Sequence, residues 1–81
     1  MSTNEITVYR TLDVTNTFCP VPVIRAQEAI REIPVGEVLE LIATDEGSRG
    51  DIPAWAKNNA HELIEATEDN GIFKFYIRRN K

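Results

Sequence analysis

The chain has 81 residues, which allows one domain spanning 1–81 with a modest core, because domains this small bury only about 60% of the surface exposed when unfolded. A hydrophobic share of 42% and a charged share of 27% suit a folded protein with loose ends at residues 1–5 and 80–81, and a net charge of −4 is opposite in sign to the footprint of most nucleic-acid binders. A single cysteine and a single histidine exclude an internal disulfide and a recognisable zinc-ligand set, so neither a structural metal nor an intramolecular CxxC couple is expected.

Taken in chain order, residues 6–14 alternate, with Ile6, Val8, Leu12 and Val14 on one side and Thr7, Tyr9, Thr11 and Asp13 on the other, as in a strand. From Pro20 to about Ile33 the period becomes helical: Val23, Ala26, Ile30 and Ile33 share a face, and Pro34 and Gly36 stop it. Residues 37–44 return to a strand, with Leu39, Leu41 and Ala43 opposite Val38, Glu40 and Ile42. A polar loop leads to a second helix over roughly Asp51 to Ala60, whose cap is either Ser48 or Asp51; Asp51 keeps Pro53 within the tolerant first turn. Trp55 falls on its packed face. The remainder is a hairpin, residues 62–68 and 72–79, around Asn70-Gly71, the pair favoured where both central turn residues need positive φ. The order β-α-β-α-β-β predicts an α+β two-layer sandwich: a small mixed sheet with both helices on one face.

The chemistry points to Thr17-Phe18-Cys19-Pro20-Val21-Pro22. A cysteine at the N-cap would lie where unpaired N–H groups and the helix dipole favour a thiolate, with Pro20 at N1 and Pro22 at N3 stiffening the entrance. Phe18 and Val21 would oppose ionisation and Arg25 would favour it, so the sign of the shift stays open. The bland alternative is a small buried cysteine, the ordinary fate of a lone thiol in a cytosolic domain. Asp45, at the end of its strand, and Asp51 are candidate neighbours of the thiol, although capping and loop solvation are the ordinary roles of Asp13, Asp45 and Asp51. Arg25 and Arg31 share the helix that presents Cys19 and are candidate docking residues. His61 reads as an exposed or capping histidine, and Arg78, Arg79 and Lys81 as a solvated strand end or weak docking patch.

The run Leu12-Asp13 … Cys19-Pro20-Val21-Pro22-Val23-Ile24, with Ile42-Ala43-Thr44-Asp45 and Asp51-Ile52-Pro53-Ala54-Trp55-Ala56, resembles the TusA/SirA-like family of small sulfur carriers. The resemblance covers Thr11 to Arg79. It implies the same β-α-β-α-β-β sandwich, with Cys19 accepting sulfane sulfur as a persulfide and Pro20 and Pro22 shaping the helix start. No cofactor beyond that covalent sulfur is implied, and the chain would act as a stoichiometric carrier. The implied partners are a donor such as a cysteine desulfurase or rhodanese-type enzyme and an acceptor protein, in tRNA thiolation, cofactor assembly or sulfur oxidation. Where the family usually has glycine, this chain has Asn16, the next best residue for a left-handed turn. Glu46 and Gly50 also depart from the pattern, with Arg49 displaced by one, which bears on partner choice. With no apolar run near the roughly 20 residues of a bilayer span and no secretory apolar block, a cytoplasmic monomer is expected. The competing readings are a nucleic-acid-binding module or a regulatory interaction domain with an inert Cys19.

Overall fold

The computed structural model describes residues 6–81, so the expected looseness of residues 1–5 lies outside it. Six elements follow the expected order: β1 (Arg10–Asp13), α1 (Val21–Ile30), β2 (Val38–Ala43), α2 (Ser48–Asn58), β3 (Glu62–Asp69) and β4 (Ile72–Arg78). The alternation in each strand decides which side meets the helices. Leu12, Leu39, Leu41, Ala43, Phe73, Phe75 and Ile77 turn inward and close a core with Ala26, Ala29, Ile30, Ile33, Ile52, Trp55 and Ala56.

The sheet order is β1-β2-β4-β3, parallel between β1 and β2 and antiparallel elsewhere. The hairpin turn takes the expected form, with φ of 54° at Asn70 and 82° at Gly71. β1 is shorter than its alternation suggests. Its ladder opens with the Tyr9 N–H on the Val38 carbonyl, where β2 itself begins, so Ile6 to Val8 have no strand to pair with.

Both helix starts differ from expectation. α1 has its N-cap at Pro20, which puts Pro22 at N2 and leaves Cys19 one residue outside the cap. Its last regular residue is Ile30, yet Ile33 stays in the core through the following turn. α2 starts at Ser48 behind a Gly47 N-cap, so Pro53 lies inside the helix. The early start comes from tight turns, in which the N–H groups of Ser48 and Arg49 donate to the carbonyls of Asp45 and Glu46. No side chain caps the N-terminus of either helix.

At its other end α2 closes on Ala60, φ 63°, with the Ala60 N–H on the Lys57 carbonyl and the His61 N–H on the Ala56 carbonyl. This is a Schellman closure without glycine. The end of α1 is covered from β4: the Arg79 guanidinium donates to the carbonyls of Ile33, at 2.6 Å, and Arg31, at 3.4 Å. Arg79 is therefore a helix clasp rather than a solvated strand end. Residues 80 and 81, expected to be loose, also make contacts: the Asn80 N–H donates to His61 Nδ1, and Arg79 Nε to a main-chain oxygen of Lys81.

The face of the sheet away from the helices carries a polar clasp at Glu40. Its carboxylate accepts from Thr11 Oγ1 at 2.8 Å and from the Tyr76 hydroxyl at 2.7 Å, linking β1, β2 and β4. That bond holds the phenol protonated, with its pKa pushed up from 10.0 to about 12. Because the folded value is the higher one, the bond's stabilisation is complete below pH 10 and is lost as pH rises toward 12. In an alkaline absorbance titration, the expected result is a tyrosinate transition near pH 12 that disappears in Tyr76→Phe.

Candidate active site at the head of the first helix

The parallel β1–β2 pair is joined by α1, and β2 leads into α2, so both helices begin at the same end of the sheet. Cys19 and the β2–α2 loop meet there. Asn16 has φ 63°, and its N–H donates to Thr44 Oγ1 at 2.9 Å, turning the chain from β1 toward α1. Asp13 closes a local turn by accepting from the Thr15 N–H and hydroxyl, which lowers its pKa. It serves the loop and makes no contact with the sulfur among the described hydrogen bonds.

Cys19 is exposed, which removes the reading of it as a buried core thiol. Its Sγ donates to Asp51 Oδ2 at 3.0 Å, and its backbone N–H donates to Asp45 Oδ2 at 3.1 Å. Sequence reasoning thus named both carboxylates, and the structure brings both to the cysteine.

The electrostatics differ from a simple helix-mouth thiolate. Pro20 and Pro22 have no N–H to offer, and the Val21 N–H is already spent on the Phe18 carbonyl at 2.8 Å. The entrance therefore has few donors left for an anion. Instead the Asp51 hydrogen bond holds the thiol's proton, and desolvation and the charges of Asp51 and Asp45 push its pKa further in the same direction, above the ordinary thiol value. Arg25 does not offset this: it faces Glu28 at 4.0 Å on the exposed side of α1. Arg31, at the C-cap of α1, lies at the opposite end of the helix from Cys19.

Gly47 was not singled out by sequence. A Cβ there would stand 3.0 Å from Asp45 Oδ2, 3.6 Å from Asp51 Oδ2 and 3.7 Å from the Cys19 Cβ. Its backbone is ordinary helical, so the requirement is space for the Asp45 carboxylate, whose place is set by its bond to the Cys19 N–H 26 positions away. Gly47→Ala should push the Asp45 carboxylate off the Cys19 N–H while costing only about 1 kcal/mol of stability. The check is the amide proton shift of Cys19 beside a denaturant melt. Phe18 and Val21, read from the sequence as apolar neighbours of the thiol, are 73% and 38% exposed, and Ile24, which the sequence does not single out, is 48% exposed. Phe18 and Val21 flank the thiol along the chain, and Ile24 follows Val21 by one helical turn.

The family model described as Sulfurtransferase TusA matches residues 10–79. The chain belongs to the TusA family. Among its relatives, the sulfur carrier protein TusA of Pseudomonas fluorescens is 41% identical over 76 residues, covering 94% of this chain and 92% of that protein. The sulfur carrier protein TusA of Allochromatium vinosum is also 41% identical, over 85% of this chain and 91% of its own. The crystal structure of a SirA-like protein from Desulfitobacterium hafniense superposes with a TM-score of 0.77 at 28% identity, covering 89% of this chain and 99% of that one. The TusA-family fold and the α+β architecture read from the sequence therefore agree. Among the described residues no helix is long and apolar enough to cross a membrane, and no group of three or more acidic, histidine or cysteine side chains is placed to hold a metal.

Proposed function

We propose that this chain is a sulfur carrier that takes sulfane sulfur from a donor protein as a persulfide on Cys19 and passes it to an acceptor protein. The observation that carries the reading is an exposed thiol at a shared helix mouth, bonded to a carboxylate and flanked by apolar groups, in a member of a family whose relatives are named sulfur carriers. An inert thiol would need none of these features. The lone cysteine suits a reducing compartment, which accords with work in the cytoplasm.

In the loading step the Cys19 thiol gives up its proton and the thiolate attacks the outer sulfur of the donor's persulfide. The bond between the two donor sulfurs breaks, the donor cysteine leaves as a thiolate and regains a proton, and Cys19–S–SH results without net oxidation. Delivery reverses the roles, with an acceptor thiolate attacking the outer sulfur. Asp51 keeps the unloaded thiol protonated and therefore quiet toward casual electrophiles. A donor that brings basic side chains against Asp45, Glu46 and Asp51 offsets that field and releases the nucleophile on docking, while Phe18, Val21 and Ile24 supply the apolar contact.

The test is intact-mass analysis after incubation with a persulfide-bearing cysteine desulfurase or rhodanese-type enzyme. The expected result is a gain of one sulfur atom, reversed by reductant and absent in Cys19→Ser. No adduct from any of several competent donors would overturn the carrier reading.

A further inference from the structure

A second constellation lies at the end of the molecule away from Cys19, where α1, α2 and β4 finish. A cavity of about 400 Å³ there is walled by Ile30 and Trp55 and ringed by Arg31, His61, Arg79 and Lys81. No acidic residue lines it, although the chain carries 13 carboxylate side chains and a net charge of −4.

The cations around it lack carboxylate side-chain partners. Among the described residues Arg10, Arg25, Arg49 and Arg78 are paired with carboxylates, whereas Arg31, Arg79 and Lys81 have no acidic side chain as partner. Arg79 spends Nη1 on the carbonyls of Ile33 and Arg31 and Nε on a main-chain oxygen of Lys81, and its Nη2 makes none of the described bonds. The field of this group is felt by His61, whose pKa is lowered by partial burial and by the charges of Arg79 and Lys81.

Helix C-termini ordinarily repel anions, because their last carbonyls point outward. Here three of the last carbonyls of α2, and two of those that follow α1, are covered. Arg79 takes the Ile33 and Arg31 oxygens beyond α1, and the N–H groups of Asn59, Ala60 and His61 take the Trp55, Ala56 and Lys57 oxygens of α2. What faces the cavity is therefore a set of polar groups and positive charges, with only small exposed edges of Ile30 and Trp55 beside them. Its volume falls within the range of small-molecule sites and exceeds what a bare inorganic ion fills.

We propose that this cavity binds a small organic oxyanion, a phosphate or carboxylate held by Arg31, Lys81 and the unengaged Nη2 of Arg79, beside the exposed edge of Trp55. Trp55 is the only tryptophan, so its fluorescence reports on the site without labelling. The whole chain is titrated at constant ionic strength with adenosine monophosphate, citrate and inorganic phosphate, with sodium chloride as the control. The expected result is a saturable fluorescence change with adenosine monophosphate or citrate, accompanied by amide shifts at Arg31, His61 and Lys81. Binding should weaken about tenfold or more in Arg31→Glu/Lys81→Glu. A response to the phosphate compounds alone assigns phosphate, and one to citrate alone assigns carboxylate. A response matched by sodium chloride, no response to any probe, or equal binding by the folded double variant overturns the proposal.

Discussion

Asp51→Asn is expected to lower the pH midpoint for alkylation of Cys19 and to make the thiol react faster at neutral pH. In the native site the carboxylate accepts the thiol's proton at 3.0 Å, and this hydrogen bond is the largest cause of the raised pKa. An amide removes the negative charge and can donate to the thiolate instead. Each pH unit by which the midpoint falls multiplies the thiolate fraction about tenfold, while the weaker basicity of the sulfur takes back part of the gain, leaving roughly a threefold faster reaction. Asp45→Asn should move the midpoint less, since Asp45 acts on the sulfur only through its charge. The pH–rate profile with iodoacetamide separates these outcomes, and an unchanged midpoint in Asp51→Asn would show that the bond does not hold the proton. The coupling to stability has a fixed sign. A thiol whose folded pKa is raised stabilises the fold fully below its unfolded pKa and loses that contribution as pH rises through the folded value.

The second large effect is structural. Ile77→Ala should cost about 3 kcal/mol, lowering the melting temperature by roughly 15 °C for a domain of this size. Ile77 is fully buried on β4, an interior strand, opposite both Leu39 of β2 and Leu63 of β3, so neither neighbour can collapse into the space without bending the sheet. Ile72, on the same strand but 41% exposed, is the internal comparison, and its alanine variant should stay within about 0.5 kcal/mol of the parent. Thermal and denaturant melts of the two variants test the pair. Equal losses would mean that burial on this strand does not govern stability.

Alternation and turn chemistry made much of the fold legible in advance. The inward positions of β2 and β4 and the Asn70-Gly71 turn follow from local pattern because the physics that sets them is local. The helix starts were less legible. A proline ordinarily marks a first turn, but α2 begins through tight backbone turns ahead of Pro53, and α1 is capped by Pro20 itself. Cys19, Asp45 and Asp51 were nameable as neighbours, while the sign of the thiol's pKa shift was not. That sign depends on which donors the prolines remove and where Asp51 Oδ2 comes to rest. Gly47 and the cavity at the far end were invisible for a related reason. The cavity is made by residues distant in sequence, the carboxylates around Gly47 take their places only once Cys19 is brought to them, and neither feature has a short motif.

The outer strands have a consequence for how the chain meets its own copies. An unpaired strand edge is a template for intermolecular pairing, and flat apolar edges invite it. β1 offers only four residues at one side of the sheet, and the eight-residue β3 at the other carries Glu62, Glu65, Glu68 and Asp69 along a strand bent by a register shift between Leu63 and Glu65. A second β3 laid alongside would stack carboxylate against carboxylate, and the bend would spoil the ladder. Edge-to-edge aggregation is thereby discouraged even at high concentration, leaving the thiol-bearing end free for other proteins.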